Sequence, residues 1–237
     1  VNPILAVILS VVICTILGLV IERVAYRPLR NASSPLAVLI TAIGVSYLLQ
    51  NVALLIFGAN AKTFPSVIKW KGISVAGGEL KISGETIVTI VVCVVIMVVL
   101  MAFVQKTKPG QAMRAVSEDR GAAQLMGINV NGTIALTFAI GSGLAAVAGV
   151  LLCSTYPSLT PYTGAMPGIK AFVAAVFGGI GSIPGAFIGG ILLGLIEIFS
   201  KAYISSQMAD AIVFAVLIVV LLVKPTGLLG KQIQEKV

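Results

Sequence analysis

The chain has 237 residues, of which 58% are hydrophobic and only 10% are charged, whereas charged residues make up about 25% of an ordinary globular domain. This composition excludes a typical soluble domain and indicates a polytopic membrane protein. The formal net charge is +8, but the Lys and Arg residues lie in the connections between apolar runs, which favours membrane topology over nucleic-acid binding.

The first two apolar runs have the length of membrane spans. A helix needs about 20 residues to cross the hydrocarbon core, and the predicted spans are residues 4–21 and 36–57. The connection between them is tight and carries three arginines, Arg23, Arg27 and Arg30. Because the chain starts without a methionine or a charged leader, we expect that it lacks its true N-terminal region.

One face of the second predicted span carries small and polar side chains. The residues on this face are Thr41, Gly44, Tyr47 and Asn51, which fall within about a third of the helical circumference. Polar side chains in hydrocarbon prefer protein or water partners, so this face is expected to turn inward and to line a translocation path. Packing between helices explains the same pattern equally well.

The next elements are predicted from local periodicity. After a long connection at residues 58–85, whose alternation over residues 73–82 predicts a short hairpin or amphipathic segment, the third span is expected at residues 86–103. The fourth span, residues 133–152, carries a stripe of small residues at four-residue spacing, which predicts close packing against another helix. The stripe consists of Gly141, Ala145 and Gly149.

Residues 106–130 form the one long polar interruption in the second half of the chain. A Pro-Gly pair ends the third apolar run, and short helices are predicted at residues 111–116 and 120–126. Asp119 offers a side-chain oxygen at the start of the second helix, and Gly127 stands where that helix would stop. Spacing alone favours a solvated basic loop, although its modest apolar face could seat in a partner's groove.

A glycine-rich break follows an uncharged loop at residues 154–168. A short apolar stretch at residues 169–179 precedes the break, and a helix is predicted after it at residues 186–199. Such a pattern predicts a helical hairpin or a re-entrant element, which membranes tolerate only where protein surrounds it. The glycines that carry this prediction are Gly178, Gly179, Gly181, Gly185 and Gly189. Glu197, near the end of the second helix, is most simply neutralised by Lys201.

The last span is predicted at residues 209–223 and is followed by a short basic tail. The positive-inside rule places the tail, the first connection and residues 106–130 in the cytoplasm. Histidine is absent, the cysteines show no CxxC spacing, and no GxxxxGK[ST] phosphate loop occurs. We therefore predict no metal site, no cofactor and no catalytic residue, and any ATP that drives this protein must be bound by another chain.

Four segments, in order, resemble the permease subunits of branched-chain amino-acid ABC importers, the LivH type in particular. They are ERVAYRPLR at residues 22–30, LITAIGVSYLLQN at 39–51, GQAMRAVSEDRGAAQLMGINV at 110–130 and KAFVAAVFGGIGSIPGAFIGGILLGLIE at 170–197. The resemblance implies a single all-α transmembrane permease domain over residues 1–237, with about 6–8 membrane segments. It also implies a multi-pass protein of the cell inner membrane with a cytoplasmic C-terminus.

The same resemblance implies a role for residues 106–130, as the cytoplasmic coupling segment that docks on an ATPase subunit. Its partners would be a homologous second permease, two ATPase subunits that bind the ATP, and an external solute-binding protein. The matching positions are Gly110, Arg114, Asp119, Ala123, Leu125 and Gly127, and Glu118 and Arg120 complete the candidate set.

The expected solutes are leucine, isoleucine and valine, and two other classes stay open. Permeases for urea or short amides look similar. An ion-coupled secondary transporter would show an intramembrane carboxylate or a broken helix with an ion site, and only the break at residues 178–185 fits that description.

Overall fold

The computed structural model describes residues 3–31, 35–65, 72–75 and 80–230, and most of them are helical. Within these residues five helices are long and apolar enough to cross a membrane: α1 with the π turn that follows it, α2, α3, α6 and α8. Two more, α7 and α9, are shorter apolar helices. This architecture confirms the predicted all-α polytopic membrane protein.

In chain order the elements are α1 (Pro3–Ile21), a π turn (Glu22–Tyr26), a 3₁₀ turn (Pro28–Asn31), α2 (Pro35–Phe57), β1 (Lys62–Thr63), β2 (Ile73–Val75), β3 (Leu80–Ile82), α3 (Gly84–Lys106), α4 (Lys108–Glu118), α5 (Arg120–Leu125), α6 (Val130–Thr155), β4 (Ser158–Leu159), α7 (Ala165–Gly178), α8 (Ile183–Tyr203) and α9 (Ala209–Val223).

The ends of α1, α2, α3, α6 and α9 lie close to the predicted span boundaries, whereas α7 and α8 differ. Helix α7 begins at Ala165 instead of residue 169, and α8 covers Ile183–Tyr203 instead of residues 186–199. Helix α8 begins earlier than predicted because Pro184 lies in its first turn, where the backbone N–H that proline lacks would have no partner within the helix. The Ser182 side chain caps that turn. Helix α8 is consequently long enough to span on its own.

The chain divides into two compact units, the first formed by Val1–Val94 and Ala102–Thr163. In this unit α1 packs along α6. A Cβ built at Gly18 would overlap the Ser142 side chain, and one at Gly143 would lie 3.1 Å from Oγ1 of Thr15. Small residues therefore let the two helix backbones approach closely.

The face of α6 that contacts α1 is not the predicted stripe of small residues. No atom lies within 4 Å of a Cβ built at Gly141 or Gly149, and Ala145 is exposed. Small residues lie on two adjacent faces of α6, and the spacing alone could not identify the face that α1 covers.

Short antiparallel strand pairs join the loops of the first unit. Strand β1 pairs with β4, with Lys62 opposite Leu159, and so ties the loop after α2 to the loop after α6. Strands β2 and β3 pair with Ile73 opposite Ile82, which confirms the hairpin predicted from alternation.

The second unit, Val95–Met101 with Gly164–Val237, contains α7, α8 and α9. Its core consists of Val173 and Phe177 on α7, Leu193 on α8 and Val213 on α9, all buried. Because lipid is as apolar as these side chains, close van der Waals packing holds the helices together, with little help from the hydrophobic effect.

Candidate functional site

The candidate coupling segment, residues 106–130, contains α4 and α5, and α4 begins with a cap. The Thr107 hydroxyl accepts a hydrogen bond from the Gly110 N–H at 3.2 Å, and Pro109 lies in the first turn of α4. Glycine is required at position 110, because a Cβ there would overlap the backbone of Phe103 and Val104 at the end of α3. Arg114 donates a hydrogen bond back to the carbonyl of Gln105 at 3.4 Å. Helix α4 is thus anchored to the end of α3.

The junction between α4 and α5 is fixed by Asp119. Its carboxylate accepts hydrogen bonds from the N–H groups of Gly121 at 2.7 Å and Ala122 at 3.0 Å. These are donors that the first turn of a helix leaves unpaired, and a negative charge there also suits the helix dipole. The predicted helix start is confirmed. Glu118 and Arg120, on either side of Asp119, are exposed.

Helix α5 ends in a Schellman motif at Gly127, as the sequence predicted. Gly127 has a φ of +80°, a conformation that glycine adopts without a steric penalty. Its N–H bonds to the carbonyl of Gln124 at 3.0 Å, and the N–H of Ile128 bonds to the carbonyl of Ala123 at 3.0 Å. The chain then enters α6 under a cap from Asn129, so both ends of α5 are held.

The apolar side chains of the coupling segment divide into an inner and an outer set. Val116 and Ala123 are buried, and α4 and α5 both pack against α6. Leu125 and Met126 are 90% and 82% exposed. The sequence analysis predicted one modest apolar face that could seat in a partner's groove, and the structure corrects this prediction. Ala123 supports the segment from inside, whereas the tip formed by Leu125 and Met126 projects outward.

The four residues proposed to line a path lie along α2, where the first unit leaves them largely uncovered. Tyr47 is 62% exposed, Asn51 is exposed, and no atom lies within 4 Å of a Cβ built at Gly44. Thr41 donates to the carbonyl of Ala37 and Asn51 donates to the carbonyl of Tyr47, both at 2.8 Å. The lining role stays a prediction.

The glycine break forms a tight turn between α7 and α8 in the second unit. A Cβ at either Gly178 or Gly185 would overlap the backbone carbonyl of the other, and a Cβ at Gly189 would lie 2.5 Å from the carbonyl oxygen of Ala174. Gly179 and Gly181 have φ values of +110° and +89°. These glycines are therefore packing and turn residues of a helical hairpin.

The chain after α9 folds back onto this hairpin. This contact was not predicted from the sequence. The N–H groups of Leu228 and Leu229 donate to the carbonyls of Phe177 and Gly178, both at 2.9 Å. Gly227, with a φ of +75°, lies against Gly179. The Pro225 and Gly227 turn signal was available in the sequence, but nothing local indicated where the turn would dock. Residues 231–237, which include the end of the basic tail, lie outside the described residues.

A charge network joins all three helices of the second unit. Lys170 on α7 forms ion pairs with Glu197 on α8 at 2.9 Å and with Asp210 on α9 at 2.7 Å. The predicted pair of Glu197 with Lys201 is also present, at 2.5 Å. Lys170 and Asp210 were missed. A signal existed, because Lys170 is the single charge in residues 156–196 and a lone cation among apolar residues requires a partner.

A second missed pair lies in the first unit, after α1. Glu22 is buried and forms an ion pair with Arg30, and Arg30 also bonds to the side chain of Asn131. In residues 3–31, 35–65, 72–75 and 80–230, no group of three or more His, Cys, Asp or Glu side chains is arranged to hold a metal ion.

Comparison with known proteins identifies related sequences over nearly the whole chain. The family model for the permease component of branched-chain amino acid transport systems matches residues 1–221. The high-affinity branched-chain amino acid transport system permease protein LivH of Salmonella typhimurium is 47% identical over 230 residues, which cover 96% of this chain and 74% of the relative. The BraD permease protein of Pseudomonas aeruginosa is 46% identical over 231 residues, covering 96% and 75%.

An archaeal relative extends the comparison. The probable branched-chain amino acid transport permease protein LivH of Methanocaldococcus jannaschii is 30% identical, again over 96% of this chain and 75% of the relative. No solved structure matches the chain significantly. The region matched by the family model contains both the coupling segment and the glycine hairpin.

Proposed function

Because this chain belongs to the family of branched-chain amino acid transport system permease components, we propose that it is the membrane-spanning subunit of an ATP-driven importer for leucine, isoleucine and valine. It forms the translocation path together with a second, homologous permease. The solute class is supported by relatives at 46% and 47% identity whose names specify branched-chain amino acids. The chain is a transport subunit without an ATPase site or a cofactor of its own, and two partner ATPase subunits bind the ATP.

The observation that carries the coupling part of the proposal is the exposed apolar tip of the coupling segment. Leu125 and Met126 project from a helix that is capped at both ends and packed on its inner side. An aliphatic and a flexible thioether side chain on a rigid support suit a groove on a partner protein. In the importer, that partner is the ATPase subunit.

Coupling then follows from how the segment is attached. Gly110 and Arg114 hold α4 to the end of α3, and α4 and α5 pack on α6. A movement of the ATPase that displaces the tip should therefore displace the ends of α3 and α6 as well, because these contacts hold the segment against both helices. The movement of α3 and α6 then opens the translocation path alternately to the two sides of the membrane as the ATPase subunits close on ATP and reopen.

The path itself needs little affinity for the solute. We assign Thr41, Gly44, Tyr47 and Asn51 to its lining, where hydroxyl and amide groups offer weak hydrogen bonds along an otherwise apolar face. An external solute-binding protein supplies most of the selectivity. We assign the first connection and the coupling segment, which both carry basic residues, to the cytoplasmic side of a cell inner membrane, together with the C-terminus.

The test is uptake of radiolabelled leucine by proteoliposomes that contain this chain, the second permease, both ATPases and the external binding protein. We expect uptake to require ATP on the ATPase side and to be inhibited by excess isoleucine or valine, but not by urea. Inhibition by urea would indicate an amide permease instead. Uptake that persists without ATPases, or that follows an imposed ion gradient, would identify a secondary transporter.

A further inference from the structure

A polar pocket of about 500 Å³ lies in the first unit and is lined in part by the coupling segment. Three guanidinium groups line it, and the lining contains no carboxylate. They come from three different elements: Arg27 from the residue after the π turn, Arg30 from the 3₁₀ turn and Arg120 from α5. Convergence of three cations from separate parts of the chain favours the binding of an anion.

Within the described part of the chain, only one of the three arginines is paired with a carboxylate. Arg30 is paired with the buried Glu22 and bonds to Asn131, so that its guanidinium is fixed in place and neutralised. The side chains of Arg27 and Arg120 are exposed and make no ion pair or hydrogen bond with any described residue. The pocket therefore presents two uncompensated positive charges beside one immobilised guanidinium.

The local backbone explains why Arg27 reaches this pocket. The helix that starts as α1 changes to a π turn over Glu22–Tyr26, and the Arg27 N–H bonds to the Glu22 carbonyl at 2.8 Å, five residues back. Single π turns inside helices recur at functional sites. Here the same turn buries the Glu22 side chain, which holds Arg30, and ends at Arg27.

The pocket lies at the boundary between hydrocarbon and water. Arg27 directly follows the span Ile4–Tyr26, and Val130 is the first residue of the span Val130–Thr155. Val130 and Ile134, one turn apart on the same face of α6, provide an apolar wall that continues into the membrane. This location holds whichever side of the membrane the pocket faces, so it does not depend on the proposed orientation or transport function.

We propose that this pocket binds the headgroup phosphate of an anionic phospholipid such as phosphatidylglycerol. Basic pockets between membrane helices are suited to anionic headgroups, and a guanidinium can donate two parallel hydrogen bonds to phosphate oxygens. Arg27 and Arg120 bind the phosphate from two sides, while Val130 and Ile134 contact the glycerol and the start of the acyl chains. The lipid thereby bridges the first span and the coupling segment.

The experiment is native mass spectrometry of the intact importer complex titrated with phosphatidylglycerol, phosphatidylcholine or inorganic phosphate. We expect phosphatidylglycerol adducts on this subunit and no comparable phosphatidylcholine adducts. Arg27→Gln should weaken phosphatidylglycerol binding about tenfold, as expected for loss of a charge-assisted contact. Arg27→Lys, which keeps the charge but not the paired donors, should weaken it less.

The matched control is Arg23→Gln, which removes an exposed arginine of the π turn that precedes Arg27 and does not line the pocket. This variant should bind phosphatidylglycerol as the unmodified complex does. Equal losses in Arg23→Gln and Arg27→Gln, or equal binding of the two lipids, would overturn the proposal. Displacement of the lipid by millimolar inorganic phosphate would identify a free-anion site instead, and the absence of any phosphatidylglycerol adduct would also overturn the proposal.

Discussion

Gly178 lies so close to Gly185 that a Cβ on either residue would overlap the backbone carbonyl of the other. Backbone atoms cannot rotate away as a side chain can, so any side chain at these positions must push α7 and α8 apart. We expect Gly178→Ala and Gly185→Ala each to lower the free energy of unfolding by about 1–3 kcal/mol, the usual cost of overpacking. Denaturant titration of the detergent-purified complex measures this change.

Gly194→Ala is the matched control for the hairpin, since Gly194 lies on α8 with no atom within 4 Å of its Cβ position. Replacing a helical glycine by alanine at an open site should be neutral or stabilising. If Gly194→Ala and Gly185→Ala destabilise the complex equally, the close contact does not determine the stability of the hairpin.

Leu125→Asp tests the tip of the coupling segment. The side chain is 90% exposed, so the substitution should leave the fold and the amount of protein in the membrane unchanged. A charge placed in an apolar groove of the ATPase should cost at least about 2 kcal/mol of docking free energy, which corresponds to a loss of ATP-dependent leucine uptake of about thirtyfold or more. The measurement is the initial uptake rate in proteoliposomes.

Gln111→Asp adds the same charge to the first turn of α4, away from the tip, where a carboxylate is favourable to the helix. It should preserve uptake. Substitution of the buried Ala123 is unsuitable for this test, because a charged side chain there would disturb the support of the segment itself. Normal uptake by the Leu125→Asp variant would show that the tip does not take part in coupling.

Lys170→Met tests the charge network of the second unit. It removes two ion pairs and leaves Glu197 with Lys201 and Asp210 without its described partner. Hydrogen bonds to charged groups contribute about 1.5–3 kcal/mol each, but solvent screening weakens the pair with Asp210, whose side chain is 42% exposed. We therefore expect the free energy of unfolding to fall by about 1–3 kcal/mol in total.

Lys201→Met provides the comparison. The Lys201 side chain is 47% exposed, and Glu197 keeps Lys170 when it is removed. An exposed pair one helical turn apart is worth less than about 1 kcal/mol, so this variant should unfold almost as the unmodified complex does. If Lys201→Met lowers the free energy of unfolding more than Lys170→Met does, Lys170 is not the centre of the network.

Asn51→Leu tests the assigned lining of the path. The Asn51 amide nitrogen bonds to the carbonyl of Tyr47, which leaves the amide oxygen available to a passing ammonium group. Loss of one such bond should lower the rate of leucine uptake about two- to tenfold. Gln50→Leu removes an amide at the next position, about 100° around the helix, and should have a smaller effect. Unchanged uptake by Asn51→Leu would count against the lining assignment.

Local sequence signals predicted most of the helices and the ends of α5. Apolar runs identified the spans because lipid requires a nearly uniform sequence. Asp119 and Gly127 identified the ends of α5 because caps depend on a few adjacent residues. The glycines around Gly178 and Gly185 likewise predicted a helical hairpin or a re-entrant element, and the structure shows the hairpin.

Relationships between distant residues could not be predicted in the same way. Lys170 and Asp210 lie on different helices, and no periodicity links them; only the need of a lone cation for a partner was visible. The face of α6 that α1 covers is not the predicted stripe, because two faces of α6 carry small residues and spacing does not distinguish them. The role of the α2 face stays a prediction because the first unit leaves that face largely uncovered.

The return of Leu228 and Leu229 to the end of α7 has a consequence for biosynthesis. The carbonyls of Phe177 and Gly178 emerge from the ribosome long before the N–H groups that pair with them, and unpaired carbonyls are costly in a membrane. The hairpin is therefore inserted in an incomplete form, which translation of the segment after α9 completes. Released chains truncated before Leu228 should therefore be better substrates for membrane proteases than chains truncated just after Gly230, which keep the residues that donate the two closing hydrogen bonds.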